Sequence, residues 1–203
     1  MDLNLIGLAT YILYIPLLLI IVIIAALRHK NFFLSKSLLS TLAETASPSY
    51  EIFSALIAFF SLLRLIFVFN LSRLLPNIAT SKIALIFLFL SCLSGLMIAF
   101  YPRDKFRKVH GVFGTSMFVG ILASLVFLVV PIYLSAFLPN FIIFINFLIV
   151  FLVILQLFSD YLSTHELDGF ILKFRSYWQW TLLSLVIAWD FIVAVFTFLN
   201  YHH

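Results

Sequence analysis

Two ionisable residues, Arg64 and Asp190, fall inside stretches that are otherwise apolar. An unpaired charge at that depth in a hydrocarbon environment is costly, so a mutual ion pair is the least unfavourable arrangement. We therefore predict a buried ion pair between Arg64 and Asp190. Such a pair could simply fix two helices together, or it could line a path for a polar headgroup or an ion.

A second set of residues, Glu51, His110, Asp160 and His165, lies near the ends of apolar stretches. Imidazole and carboxylate groups gathered at one membrane interface could act as acid and base on a lipid ester. These four are the candidate catalytic residues. A metal site needs at least three converging ligands, which the spacing does not establish, so we assign no metal.

Small residues recur every four positions at Ser116, Gly120 and Ser124. This spacing places them on one helix face, where they allow a neighbouring helix to approach closely. We predict a packing face, either within the chain or between two copies in a homodimer.

The sequence contains no Gly-x-Gly-x-x-Gly, P-loop, Cys-x-x-Cys or Gly-x-Ser-x-Gly motif. His165 and Glu166 begin like a zinc-protease box, but no second histidine follows at the required spacing. We therefore assign no cofactor.

The composition indicates what positions these residues. Of the 203 residues, 65% are hydrophobic and only 10% are charged, whereas a soluble domain carries roughly 25% charged residues. The single cysteine, Cys92, excludes an internal disulfide scaffold. These features are typical of a polytopic membrane protein.

Six stretches approach or exceed the roughly 20 apolar residues that a helix needs to cross a bilayer. Their apolar runs do not alternate with period two, so we predict helices rather than strands of a barrel. The expected fold is all-α, a single domain over residues 1–203 that forms a bundle of six transmembrane helices, with spans Leu5–Leu27, Ile52–Asn70, Ile83–Tyr101, Val112–Phe137, Phe141–Phe158 and Tyr177–Leu199.

The basic residues are distributed unequally between the two sides of the predicted bundle. We call side B the side that holds the first, third and fifth loops (28–51, 102–111 and 159–176), and side A the opposite side. Side A has Arg73 and Lys82, whereas side B has nine bases: Arg28, Lys30, Lys36, Arg103, Lys105, Arg107, Lys108, Lys173 and Arg175. The positive-inside rule places side B in the cytoplasm and both termini outside, in the cytoplasmic membrane if the source is prokaryotic.

The sequence pI near 9.3 therefore predicts contact with anionic lipid headgroups. We predict no nucleic-acid partner, because no loop combines its lysines with a nucleic-acid-binding fold.

Two stretches resemble a known family: the first loop from Phe33 to Phe53, and the segment from Leu93 to Pro102 followed by His110. Together they resemble the uncharacterised prokaryotic six-helix membrane proteins catalogued as domain of unknown function 998. The resemblance implies that His110 is the motif histidine, that Pro102 ends the third helix, and that Ser40 and Glu51 are first-loop positions. The sequence departs from the family pattern at Glu44-Thr-Ala, where the family tends to have a small acidic-glycine turn.

The same layout is similar to the eukaryotic Frag/DRAM/Sfk group. That resemblance implies a role in lipid remodelling, lipid asymmetry, membrane traffic or the support of other membrane complexes. It also implies that the first and third loops are not cytoplasmic, which is opposite to the orientation that the charges predict.

Three functions follow. The leading hypothesis is a non-enzymatic integral membrane protein that engages membrane lipid or a partner membrane complex. The alternative is an intramembrane hydrolase or transferase acting on lipids through His110, Asp160, His165 and Glu51. A small channel or transporter lined by Arg64 and Asp190 ranks last, because the sequence shows two intramembrane charges and no inverted repeat.

Overall fold

The computed structural model describes residues 3–28, 39–135, 137–165 and 174–201. In this part of the chain all regular secondary structure is helical, and it includes six long helices: α1 (Leu3–Arg28), α2 (Tyr50–Leu74), α3 (Ala79–Phe100), α4 (Arg107–Leu134), α5 (Phe141–Thr164) and α6 (Arg175–Leu199). A short 3-10 helix, Leu39–Ala43, precedes α2.

Each of the six helices is long and apolar enough to cross a membrane. They contain 22 to 28 residues, or about 33 to 42 Å at a rise of 1.5 Å per residue, against a hydrocarbon core of about 30 Å. The predicted fold class, an all-α bundle of six membrane-spanning helices, is confirmed, and the chain is an integral, multi-pass membrane protein.

The helices extend beyond several predicted spans. Helix α2 continues four residues past the predicted end at Asn70, and α5 continues to Thr164 rather than ending at Phe158. Polar residues at a helix end can stay helical in the headgroup region, where hydropathy no longer marks the boundary. The fourth span is displaced instead: α4 begins at Arg107 and ends at Leu134, so His110 lies within a helix rather than in a loop.

The helices form a closed ring in chain order. Each helix packs against its neighbours in sequence, α1 packs against α6 to close the ring, and α2 also contacts α6. Connections of four to six residues join α2 to α3, α3 to α4 and α4 to α5, and such short links force consecutive helices to lie antiparallel. The sequence positions of α2 and α6 are therefore far apart, yet the two helices meet.

The first loop returns to the bundle at its side B end. The 3-10 helix contacts α2 and α6, and its residues Leu42 and Ala43 are buried. The Ser49 hydroxyl donates a hydrogen bond of 3.1 Å to the carbonyl oxygen of Ala25 near the end of α1. This segment thus covers the side B end of three helices.

Helices α3 and α4 approach each other closely at Gly120. A Cβ atom at this position would lie 2.9 Å from the Phe87 carbonyl oxygen and 3.0 Å from Ser91 Cβ. Ser124 is fully buried one turn further on, but Ser116 is exposed. Because a step of four residues advances about 40° around a helix, Ser116 and Ser124 differ by roughly 80° in direction. Within the chain, Gly120 lies at the contact with α3 and Ser124 is buried, whereas Ser116 is exposed. The packing face of Ser116, Gly120 and Ser124, within the chain or between two copies, stays a prediction.

We expect Gly120→Val to destabilise the protein by about 1–3 kcal/mol, because the added side chain meets the backbone of α3. Gly114→Val is the matched control, since no heavy atom lies within 4 Å of the corresponding Cβ position. Thermal unfolding in detergent measures both variants. Equal unfolding temperatures for the two would contradict the close approach of α3 and α4.

Candidate functional site

The two intramembrane charges are brought together. Arg64 Nε lies 3.1 Å from Asp190 Oδ2 and donates a hydrogen bond of 3.3 Å to Asp190 Oδ1. The side chains retain 6% and 0% of their exposure, respectively. At this burial the pair is removed from water, so the attraction between its members is only weakly screened.

The two charges lie at nearly the same depth. Arg64 is about 15 Å from the Leu74 end of α2, and Asp190 is about 14 Å from the Leu199 end of α6, at 1.5 Å per residue. The predicted spans, which end at Asn70 and Leu199, place them about 5 Å apart in depth. The additional turn of α2 beyond Asn70 removes that offset, because Arg64 becomes as distant from its helix end as Asp190 is from its own.

Tyr11 of α1 lies beside the ion pair of Arg64 and Asp190. Its hydroxyl is directed at the Asp190 carboxylate but forms no hydrogen bond of regular distance and angle. The Tyr11 ring stacks on Phe67 with centroids 5.2 Å apart and lies 5.8 Å from Phe60. We call Tyr11, Arg64 and Asp190 the midplane cluster.

A buried polar connection, to which sequence reasoning gives no role, extends from this cluster to α5. Phe67 packs edge-on against Trp189, with ring centroids 6.4 Å apart. The Trp189 Nε1–H donates a hydrogen bond of 2.6 Å to Asn146 Oδ1, and the Asn146 amide donates one of 3.4 Å to the Leu125 carbonyl oxygen on α4. The sequence contains one signal for this contact, which is a single asparagine in the most apolar span. Asparagine side chains in membrane-spanning helices commonly form hydrogen bonds to neighbouring helices.

The candidate catalytic residues have separate partners. His110 is 8% exposed, and its Nδ1 lies 2.7 Å from the Tyr101 carbonyl oxygen. Asp160 accepts a hydrogen bond of 3.1 Å from Gln156 Nε2 and forms an ion pair with Arg175. His110 is therefore engaged at the α3–α4 connection, whereas Asp160 is engaged between α5 and α6.

The other two candidate residues lie on the surface. Glu51 is exposed in the first turn of α2. His165 is exposed at the end of α5, where its ring lies 4.4 Å from that of Tyr161. Within the described ranges, no group of three or more His, Cys, Asp or Glu residues could hold a metal ion. Glu166 and the side B bases Lys30, Lys36 and Lys173 lie outside the described residues.

The first and third loops are joined by paired contacts. Arg103 Nη1 donates a hydrogen bond of 3.1 Å to Glu44 Oε1, and the Arg103 amide donates one of 3.3 Å to the Ala43 carbonyl oxygen. The Thr45 amide lies 3.1 Å from Asp104 Oδ1, and the Thr45 hydroxyl donates to Asp104 Oδ2. These residues connect the first loop, through the Glu44-Thr-Ala segment, to the third loop.

The Thr45 contacts lower the pKa of Asp104 from its usual 3.8, because the hydroxyl and the backbone amide both donate to the ionised carboxylate. A pKa that is lower in the folded chain means that the contact stabilises the fold at pH values above 3.8. The stabilisation is lost as the pH falls through the lower, folded pKa.

We accordingly expect Thr45→Val to lower the unfolding temperature at pH 6. We expect the difference in unfolding temperature from wild type to decrease gradually as the pH is lowered below 3.8. Thr115→Val, at an exposed position of α4, is the control and should give a difference that does not change with pH. A constant difference for Thr45→Val across this range would show that the Asp104 carboxylate gains nothing from the Thr45 hydroxyl.

The contributions of Arg64 and Asp190 to stability should depend on each other. Asp190→Asn leaves the guanidinium buried without its counter-charge, so we expect a loss of about 3–5 kcal/mol in unfolding free energy, and Arg64→Gln should also destabilise. The double variant should lose less than the sum of the two single variants. Steric trapping or denaturant unfolding in bicelles gives the three values, and additive losses would argue that the charges do not interact.

Comparison of the chain with models of known protein families, with curated proteins and with solved structures gives no match. The resemblance to the prokaryotic six-helix family therefore stays a prediction that depends on the residues of the first loop, Pro102 and His110.

Proposed function

We propose that this chain is a non-enzymatic integral membrane protein that engages anionic membrane lipids at its side B surface. The observation that carries the proposal is the set of exposed bases Lys105, Arg107 and Lys108 at the beginning of α4. The end of a membrane-spanning helix lies at the depth of the lipid headgroups. A lysine or arginine at that depth contributes about 1 kcal/mol to the binding of anionic lipid.

The acidic residues nearby support this interpretation because they are engaged in contacts between the first and third loops. Glu44 is paired with Arg103, and Asp104 accepts both hydrogen bonds from Thr45. In the part of the chain that the structure describes, neither acid forms an ion pair with Lys105, Arg107 or Lys108. The three bases therefore remain available to an external anion.

Apolar residues alternate with these bases. Phe106, Val109 and Val112 retain 46%, 38% and 62% of their exposure, respectively. Exposed apolar side chains at a membrane interface enter the acyl boundary, while neighbouring lysine and arginine side chains extend toward the phosphates. The arrangement suits a phospholipid, whose anionic and apolar parts are adjacent.

The predicted orientation also supports the binding of anionic lipid. If side B faces the cytoplasm, as the distribution of bases indicates, then the start of α4 faces the leaflet that carries anionic lipid. The contacts of the candidate catalytic residues also favour lipid engagement over catalysis, because His110 is bonded to a backbone carbonyl and Asp160 to Arg175.

The experiment is a titration of the purified protein with phosphatidylglycerol and, separately, with phosphatidylcholine of the same acyl chains, followed by native mass spectrometry. Loss of three bases at about 1 kcal/mol each should weaken phosphatidylglycerol binding by about a hundredfold in Lys105→Ala/Arg107→Ala/Lys108→Ala. Binding of phosphatidylcholine should change little.

Two control variants accompany this titration. Lys82→Ala removes an exposed base on side A and should leave binding unchanged. Lys105→Arg/Arg107→Lys/Lys108→Arg keeps the charges and should retain binding. Equal affinity of the triple alanine variant and wild type for phosphatidylglycerol would refute the proposal.

A further inference from the structure

Only part of the Arg64 guanidinium takes part in the ion pair with Asp190. Among the described residues it forms hydrogen bonds through Nε alone, to Asp190. Tyr11 Oη and Asp190 Oδ2 are buried atoms without a regular hydrogen bond. The two amino groups of Arg64 have no hydrogen-bond partner among the described residues, and the side chain retains 6% of its exposure.

Unbonded N–H groups on a buried cation are costly, so these amino groups favour any ligand that brings acceptor atoms. The two amino groups of a guanidinium form a planar fork that matches the two oxygens of a carboxylate. A carboxyl group is accordingly the ligand chemistry that this geometry fits best.

Charge balance restricts the form in which such a ligand enters. Arg64 and Asp190 are together neutral, so an added carboxylate would leave a net negative charge far from water, which is unfavourable. A neutral carboxylic acid avoids this cost when its proton passes to Asp190. In that step the O–H bond of the acid breaks, an O–H bond forms on Asp190, and the resulting carboxylate takes the Arg64 fork.

The surroundings fit a lipophilic acid. The cluster lies about 14 to 15 Å from the side A helix ends, and the aromatic rings of Phe60 and Phe67 pack on Tyr11 beside it. The neutral form of a long-chain acid dissolves in hydrocarbon. Titratable groups that interact with Asp190 come from three other helices: Tyr11 from α1, Arg64 from α2 and Cys92 from α3. The Tyr11 hydroxyl can hydrogen bond with either form of Asp190.

We propose that the midplane cluster is a binding site for the carboxyl group of a lipophilic carboxylic acid, with Arg64 holding the carboxylate and Asp190 receiving its proton. This site is separate from the lipid contact at the start of α4 and does not depend on it.

The test uses the full-length protein in phosphatidylcholine nanodiscs with palmitic acid labelled with ¹³C at its carboxyl carbon. Wild type should give a saturable bound signal whose chemical shift is that of a carboxylate. Arg64→Gln/Asp190→Asn keeps the cluster neutral and similar in size, and it should bind palmitic acid at least tenfold more weakly while retaining a cooperative unfolding transition. The control Arg73→Gln, at the side A end where Arg73 bonds Tyr201, should bind like wild type.

Competitors identify the chemistry and the source of the ligand. Hexadecanol, which has the chain without the carboxyl group, should not displace the labelled acid, and neither should acetate, which has the carboxyl group without the chain. The proposal is overturned if the double variant binds palmitic acid as wild type does, if hexadecanol competes equally, or if acetate competes at equal concentration.

Discussion

The ion pair between Arg64 and Asp190 constrains the rest of the bundle, because neither charge is tolerable in a hydrocarbon interior unless the other is beside it. It fixes α2 and α6 at one depth although more than a hundred residues separate the two side chains in sequence. The packing of α1 through Tyr11 and of α5 through Asn146 and Trp189 then follows around that contact. A bundle without the pair would lose a strong directional interaction between α2 and α6.

The side B end is organised differently. There the helices are held by loops whose polar residues bond to one another, as Glu44 does to Arg103 and Thr45 to Asp104. Water and headgroups compete for these groups, so each contact contributes less than a buried one. Their effect is mainly geometric: they engage Glu44 and Asp104 in contacts between the two loops and leave Lys105, Arg107 and Lys108 exposed.

Hydropathy is enough to predict six helices, because an uninterrupted apolar run has no alternative in a bilayer. The pairing of Arg64 with Asp190 follows from the same reasoning, since only two charges lie within the spans. The link from Trp189 to Asn146 could not be predicted, because it depends on how α5 and α6 are rotated about their own axes. For the same reason the spacing of Ser116, Gly120 and Ser124 does not reveal that Ser116 is exposed whereas Ser124 is buried. The resemblance to a known family remains a prediction.

Helices α5 and α6 carry two polar contacts at equal intervals. Asn146 and Asp160 are 14 residues apart on α5, and their partners Trp189 and Arg175 are 14 residues apart on α6, which is about 21 Å along each axis. Sliding of one helix past the other would break both contacts at once, and apolar side chains in lipid supply little resistance of their own. The vertical register of this helix pair is therefore set at two levels, so α5 and α6 should shift or tilt together as one rigid body.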